Sequence, residues 1–103
     1  MQPQGHLQLT VAMVAGGLDP QAAIDQPRFC IAEGTQNGTV YLESGVANTH
    51  VTTLQEKGHD LVPNVMGHDR ALFGRAQIIA RNRSNGVLWA GSDGRADGCA
   101  MGY

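Results

Sequence analysis

The chain has 103 residues, 42% of them hydrophobic and 5% aromatic, which fits one domain (residues 1–103) or a piece of one, built on a modest aliphatic core. Seven Lys and Arg against nine Asp and Glu leave a net charge of -2. No basic field is available to hold a phosphate backbone, so nucleic acid is not an expected partner. No apolar run approaches the roughly 20 residues that span a bilayer, and the start, Met1-Gln2-Pro3-Gln4-Gly5-His6, lacks the basic stretch of a secretory signal. Neither a membrane partner nor a targeting signal is therefore expected from this chain. Cys30 and Cys99 read as buried, reduced thiols rather than as a disulfide framework.

In chain order, Met1 to Gly5 reads as extended, because Pro3 disfavours helix at the residue before it. His6 to Ala15 predicts a helix that Leu7, Leu9, Val11, Ala12, Met13 and Val14 make apolar on most sides, and so a buried one. Gly16-Gly17 ends it. A second short helix follows over Asp19 to Asp25, capped by Asp19 with Pro20 in the first turn. Pro27 stops it, and Arg28 to Ile31 reads as a short extended piece. Thr39 to Glu43 predicts a strand with Val40 and Leu42 on one face. Asn48 to Lys57 predicts an amphipathic helix through Val51 and Leu54, closed by Gly58. His59 to Val62 reads as extended, and Pro63 to Leu72 as a polar loop.

Ala76 to Arg81 predicts a strand, Arg83-Ser84-Asn85-Gly86 a turn whose Asn-Gly supplies positive φ angles, and Val87 to Ala90 the return strand. A two-stranded hairpin alone is marginal in water, so the upstream elements must supply more strand and a helical cover. The order predicts an α+β fold, with helices packed on a small, mostly antiparallel sheet.

Three groups of side chains are candidates for chemistry. Asp93, Arg95 and Asp97 form a charged cluster. Arg95 is a candidate for binding a substrate carboxylate through its planar fork, but a structural ion pair with its neighbours is the favoured reading. Gly58-His59-Asp60 and Gly67-His68-Asp69 repeat one tripeptide near His50, yet the spacing matches no tight metal motif, so no metal site is expected. His6 reads as a cap or packing residue. Asn37-Gly38-Thr39 and Asn82-Arg83-Ser84 are formal glycosylation sequons, read as incidental.

Four blocks carry a resemblance. Met1-Gln2-Pro3-Gln4-Gly5-His6-Leu7-Gln8 is the first. Asp19-Pro20-Gln21-Ala22-Ala23 with Pro27-Arg28-Phe29 is the second, and Glu43 with Lys57-Gly58-His59 the third. The fourth runs from Phe73-Gly74-Arg75-Ala76-Gln77 through Gly86-Val87-Leu88-Trp89 and Gly91-Ser92-Asp93 to Arg95, Asp97-Gly98 and Gly102-Tyr103. In this order and spacing they resemble the C-terminal part of the small subunit of γ-glutamyltranspeptidases, which are N-terminal-nucleophile hydrolases. Gly94 stands where that family usually has Pro.

The resemblance implies a piece of an αββα sandwich and no cofactor. It implies a parent that moves the γ-glutamyl group of glutathione or a related amide to an amino acid, a peptide or water. The related cephalosporin acylases share the framework, which leaves the acyl group open. The nucleophile would be an N-terminal Thr whose own α-amino group acts as base. That Thr, and the glycine pair expected to supply oxyanion-hole donors, would lie upstream of Met1.

Thr52-Thr53 and Thr10 fall inside predicted helices without a free amine, so no catalytic residue is expected in this chain. Its expected partners are the large subunit and the N-terminal part of the small subunit. In isolation a homo-oligomer is expected, formed by edge pairing of strands or by exchange of the N-terminal helix. A rival reading from another class is a stand-alone α+β interaction module.

Overall fold

The computed structural model describes residues 1–102; Tyr103, quoted in the terminal motif, lies outside them. The described backbone divides into two units, residues 1–5 with 27–74 and residues 6–26 with 75–102.

The first unit is built on a three-stranded sheet in the order β1 (Phe29–Ile31), β2 (Val40–Glu43), β3 (Leu61–Val65). β1 runs antiparallel to β2, and β3 runs parallel to it after the crossover helix α3 (Asn48–Glu56). The register places Phe29 opposite Leu42, Ile31 opposite Val40 and Val40 opposite Leu61, so these apolar residues share one face. Leu54 of α3 stands over that face, and together they line an apolar cleft of about 210 Å³. Cys30, Tyr41 and Val62 line a larger hollow of about 1000 Å³ with Gln4, Glu33 and Asp69.

Two readings change here. Pro63, expected to open a loop, lies inside β3; β3 is an edge strand, where a missing N–H is tolerated. Asn64 takes φ 61 where the β2–β3 register slips between Tyr41 and Glu43, so one residue of β2 faces two of β3. The expected polar loop is otherwise largely a 3₁₀ helix, Gly67–Phe73, which carries the buried Phe73.

The second unit holds α2 (Pro20–Asp25) and the hairpin of β4 (Gln77–Arg81) and β5 (Leu88–Ser92). Asp19 caps α2, its carboxylate accepting from the Ala22 N–H at 2.8 Å, with Pro20 in the first turn. Ala23 and Ile24 of α2 are buried, and the helix packs on β4 and β5. Gly91 permits that approach: a Cβ there would stand 2.8 Å from the backbone of Pro20 and Gln21.

The hairpin loop differs in detail from expectation. Only Gly86 takes a positive φ, 74°, and Asn85 does not. The loop is instead held by the Asn82 carboxamide accepting from the Ser84 N–H and that of Asn85 accepting from the Val87 N–H, both at 2.9 Å.

The helix α1 spans Gln2–Val14, beginning four residues earlier than expected. Pro3 sits in its first turn, where the missing N–H breaks no helical bond. The expectation that α1 is buried fails, because none of its residues is buried and Val14 is 81% exposed.

The fold is α+β, and among the described residues two of the three strand pairings are antiparallel. The strands form two small sheets rather than one.

In each sheet a glutamine side chain takes the place of a missing neighbour strand. Along β1, the bonds Ala32 N–H to Thr39 O and Glu43 N–H to Arg28 O fix the alternation and turn the polar groups of Ile31 away from β2. Gln4 meets both: its Oε1 accepts from the Ile31 N–H at 2.8 Å and its Nε2 donates to the Ile31 carbonyl at 3.2 Å. Gln21 does the same at Ser92 of β5, accepting from its N–H at 2.9 Å and donating to its carbonyl at 3.0 Å.

Candidate functional site

The charged cluster singled out in the sequence lies at the turn after β5. Arg95 and Asp93 form an ion pair at 3.0 Å, with side chains 1% and 0% exposed. Asp93 Oδ1 also accepts from the Arg95 N–H at 2.9 Å, and its Oδ2 accepts from the Ala76 N–H at 2.9 Å. One carboxylate thus ties the terminal turn to the entry of β4. Arg95 Nη1 donates to the Ile24 carbonyl at 2.9 Å and Nη2 to the Gln26 carbonyl at 3.0 Å. These carbonyls close the C-terminal end of α2, where a cation is favoured by the helix dipole. Asp97 is exposed and lies outside this network.

The first unit holds a second buried network that the sequence reading did not assemble. Glu43 and Arg28 are 2% and 3% exposed. Glu43 accepts from the Arg28 N–H at 2.9 Å and from Arg70 Nε at 2.5 Å. Arg28 Nη1 donates to the carbonyls of Phe73 and Gly74 at 3.2 and 3.3 Å. The network binds β1, β2 and the 3₁₀ helix to the Phe73-Gly74 corner. Arg28, Glu43 and the Phe73 block were already prominent as motif residues, but nothing in the sequence tied them to each other or to Arg70.

The remaining candidates are placed apart. The hydroxyls of Thr52 and Thr53 donate to the carbonyls of Asn48 and Thr49, four residues back, at 3.0 and 2.8 Å, the ordinary arrangement inside a helix. Asp60 accepts from the Thr39 hydroxyl at 2.8 Å. Among the described residues no three His, Cys, Asp or Glu side chains come together as a metal site. Cys30 and Cys99 are free thiols; Cys30 is buried, but Cys99 is exposed, against expectation. No described helix is long and apolar enough to cross a membrane.

Both networks hold backbone in place with buried charge, and neither presents a nucleophile beside a base. Among solved structures sharing the α+β fold is the cephalosporin acylase from Bacillus halodurans, with a TM-score of 0.81 and 35% identity over 98% of this chain and 18% of that one. The solved relatives of this fold are N-terminal-nucleophile hydrolases. A model of the γ-glutamyltranspeptidase family matches residues 1–103, and the chain belongs to that family. It is 31% identical to an oxamate amidohydrolase proenzyme of Klebsiella pneumoniae, over 99% of this chain and 19% of that protein. It is also 30% identical to a glutathione hydrolase-like YwrD proenzyme of Bacillus subtilis, over 98% of this chain and 19% of that protein. The chain thus spans about a fifth of the length of the curated relatives it matches.

Proposed function

We propose that residues 1–103 are the C-terminal portion of the small subunit of a γ-glutamyltranspeptidase-like enzyme and act there as scaffold and wall. The parent attacks the γ-glutamyl amide of glutathione or a related compound with an N-terminal Thr. The acyl group then passes to an amino acid, a peptide or water. The Thr, its α-amino base and the oxyanion donors come from the rest of that protein, as do the chain's partners, the large subunit and the N-terminal part of the small subunit. The observation that carries this reading is the match of the whole chain to a family whose curated relatives are about five times longer.

Within this reading the Asp93–Arg95 pair is structural, and Asp97, exposed, takes no part in it. The enclosure of Arg95 between Asp93 and two carbonyls supports a structural role over substrate binding. The isolated chain is inactive. Incubation with a chromogenic γ-glutamyl anilide tests this: no turnover is expected, and turnover that persists through purification and disappears in Thr53→Ala overturns the reading.

A further inference from the structure

Among the described residues the two sheets have four outer edges, those of β1 and β3 and those of β4 and β5. Three of them carry a device that hinders a further strand. At β1 the Gln4 side chain holds both the N–H and the carbonyl of Ile31. At β3 Pro63 removes a donor, and the register slips beside it. At β5 Gln21 holds both groups of Ser92, which leaves a neighbour only Leu88 and Ala90.

β4 carries no such device. The Asn82 N–H donates to the Val87 carbonyl at 2.9 Å, so Asn82 and Val87 are a hydrogen-bonded pair. Antiparallel pairs alternate, and the register makes Ala80–Trp89 and Ile78–Gly91 bonded pairs too. The N–H and C=O groups of Gln77, Ile79 and Arg81 therefore point away from β5. Among the described residues no strand or loop meets them. Neither a Pro nor a bulge interrupts this row, and such a row is a template for pairing.

We propose that β4 is the edge at which the parent's sheet continues. An extended segment of the same parent, from outside residues 1–103, adds as a strand along Gln77, Ile79 and Arg81. β1, whose edge is filled from within the chain, ends its own sheet. The parent is the source of the added strand because the curated relatives are about five times longer than this chain. A residue that suits the place opposite Ile79 is apolar, and one opposite Arg81 is acidic or neutral, since like charges directly opposite are unfavourable. The inference rests on the reading of the chain as part of a γ-glutamyltranspeptidase-like enzyme and adds where the rest of that enzyme joins it.

Amide hydrogen exchange resolved to single residues, on the product of the whole reading frame, tests it. The Ile79 and Arg81 amides are expected to exchange within about tenfold of those of Ile78 and Ala80, which β5 holds. In Gln4→Ala of the same product the Ile31 amide is expected to exchange at least about tenfold faster. Ile79 and Arg81 amides that exceed the tenfold margin overturn the proposal. So does an Ile31 amide that Gln4→Ala leaves unchanged, since a parent strand would then lie along β1. Protection of β4 that fades on dilution assigns the added strand to a second copy and overturns it too. A reading frame that opens at Met1 removes the enzymatic reading together with this inference, whereas a longer product with unprotected Ile79 and Arg81 removes this inference alone.

Discussion

Replacing Arg95 with Ala tests how the C-terminal turn is held. The guanidinium and its partner Asp93 are 1% and 0% exposed. Truncation strands the Asp93 carboxylate in a site built around a cation. Breaking a buried pair from one side costs about 3–5 kcal/mol. The carbonyls of Ile24 and Gln26 lose their charged donors in the same step. That is a large part of the roughly 5–15 kcal/mol that holds a domain folded. At about 4–8 °C per kcal/mol for a domain of this size, the thermal midpoint is expected to fall by more than roughly 12 °C. Circular dichroism melts of wild type, Arg95→Ala and Arg95→Lys measure it. Lys is expected to fall between the two, since it keeps the charge but not the fork that reaches Asp93 and two carbonyls together. A midpoint that stays put in Arg95→Ala would refute the reasoning and return Arg95 to the list of substrate-carboxylate ligands.

Gly91→Ala is expected to push α2 off the hairpin, because its Cβ would stand 2.8 Å from the backbone of Pro20 and Gln21; an overpacked contact costs about 1–3 kcal/mol, readable as a lower melting midpoint, and an unchanged midpoint would show that α2 shifts without cost. Gln4→Ala removes both bonds to Ile31; at about 0.5–1.5 kcal/mol for each net hydrogen bond, a loss of about 1–3 kcal/mol is expected, together with faster hydrogen exchange at the Ile31 amide.

The elements most legible in the sequence were those with local chemistry. Asp19-Pro20 marks the start of α2, Gly58 the end of α3, and the Asn-Gly loop joins two runs of β-forming residues, so the hairpin and both helices emerge near their predicted places. Pro63 misled because a proline reads as a breaker unless its strand is known to lie at an edge. Leu7, Val11 and Val14 misled because an apolar helix declares only that it favours cover, not that this chain supplies it.

The Arg28–Glu43 network and the glutamine edge caps were out of reach for another reason. Gln21 meets Ser92 across 71 residues of sequence and Arg28 meets Phe73 across 45. In both, the partner is a backbone group that every residue type presents, so no residue pairing could announce it. The Asp93–Arg95 pair was visible because its partners are two residues apart.

The most direct test of the account is mass spectrometry and a γ-glutamyl anilide assay on the product of the whole reading frame that contains this chain. The account expects a proenzyme that cleaves itself once. It expects the smaller piece to begin with Thr and to include the sequence Met1 to Tyr103, and activity to appear with cleavage and vanish when that Thr is replaced. An uncleaved product, or a reading frame that opens at Met1 and yields a folded chain with no longer form, would contradict it.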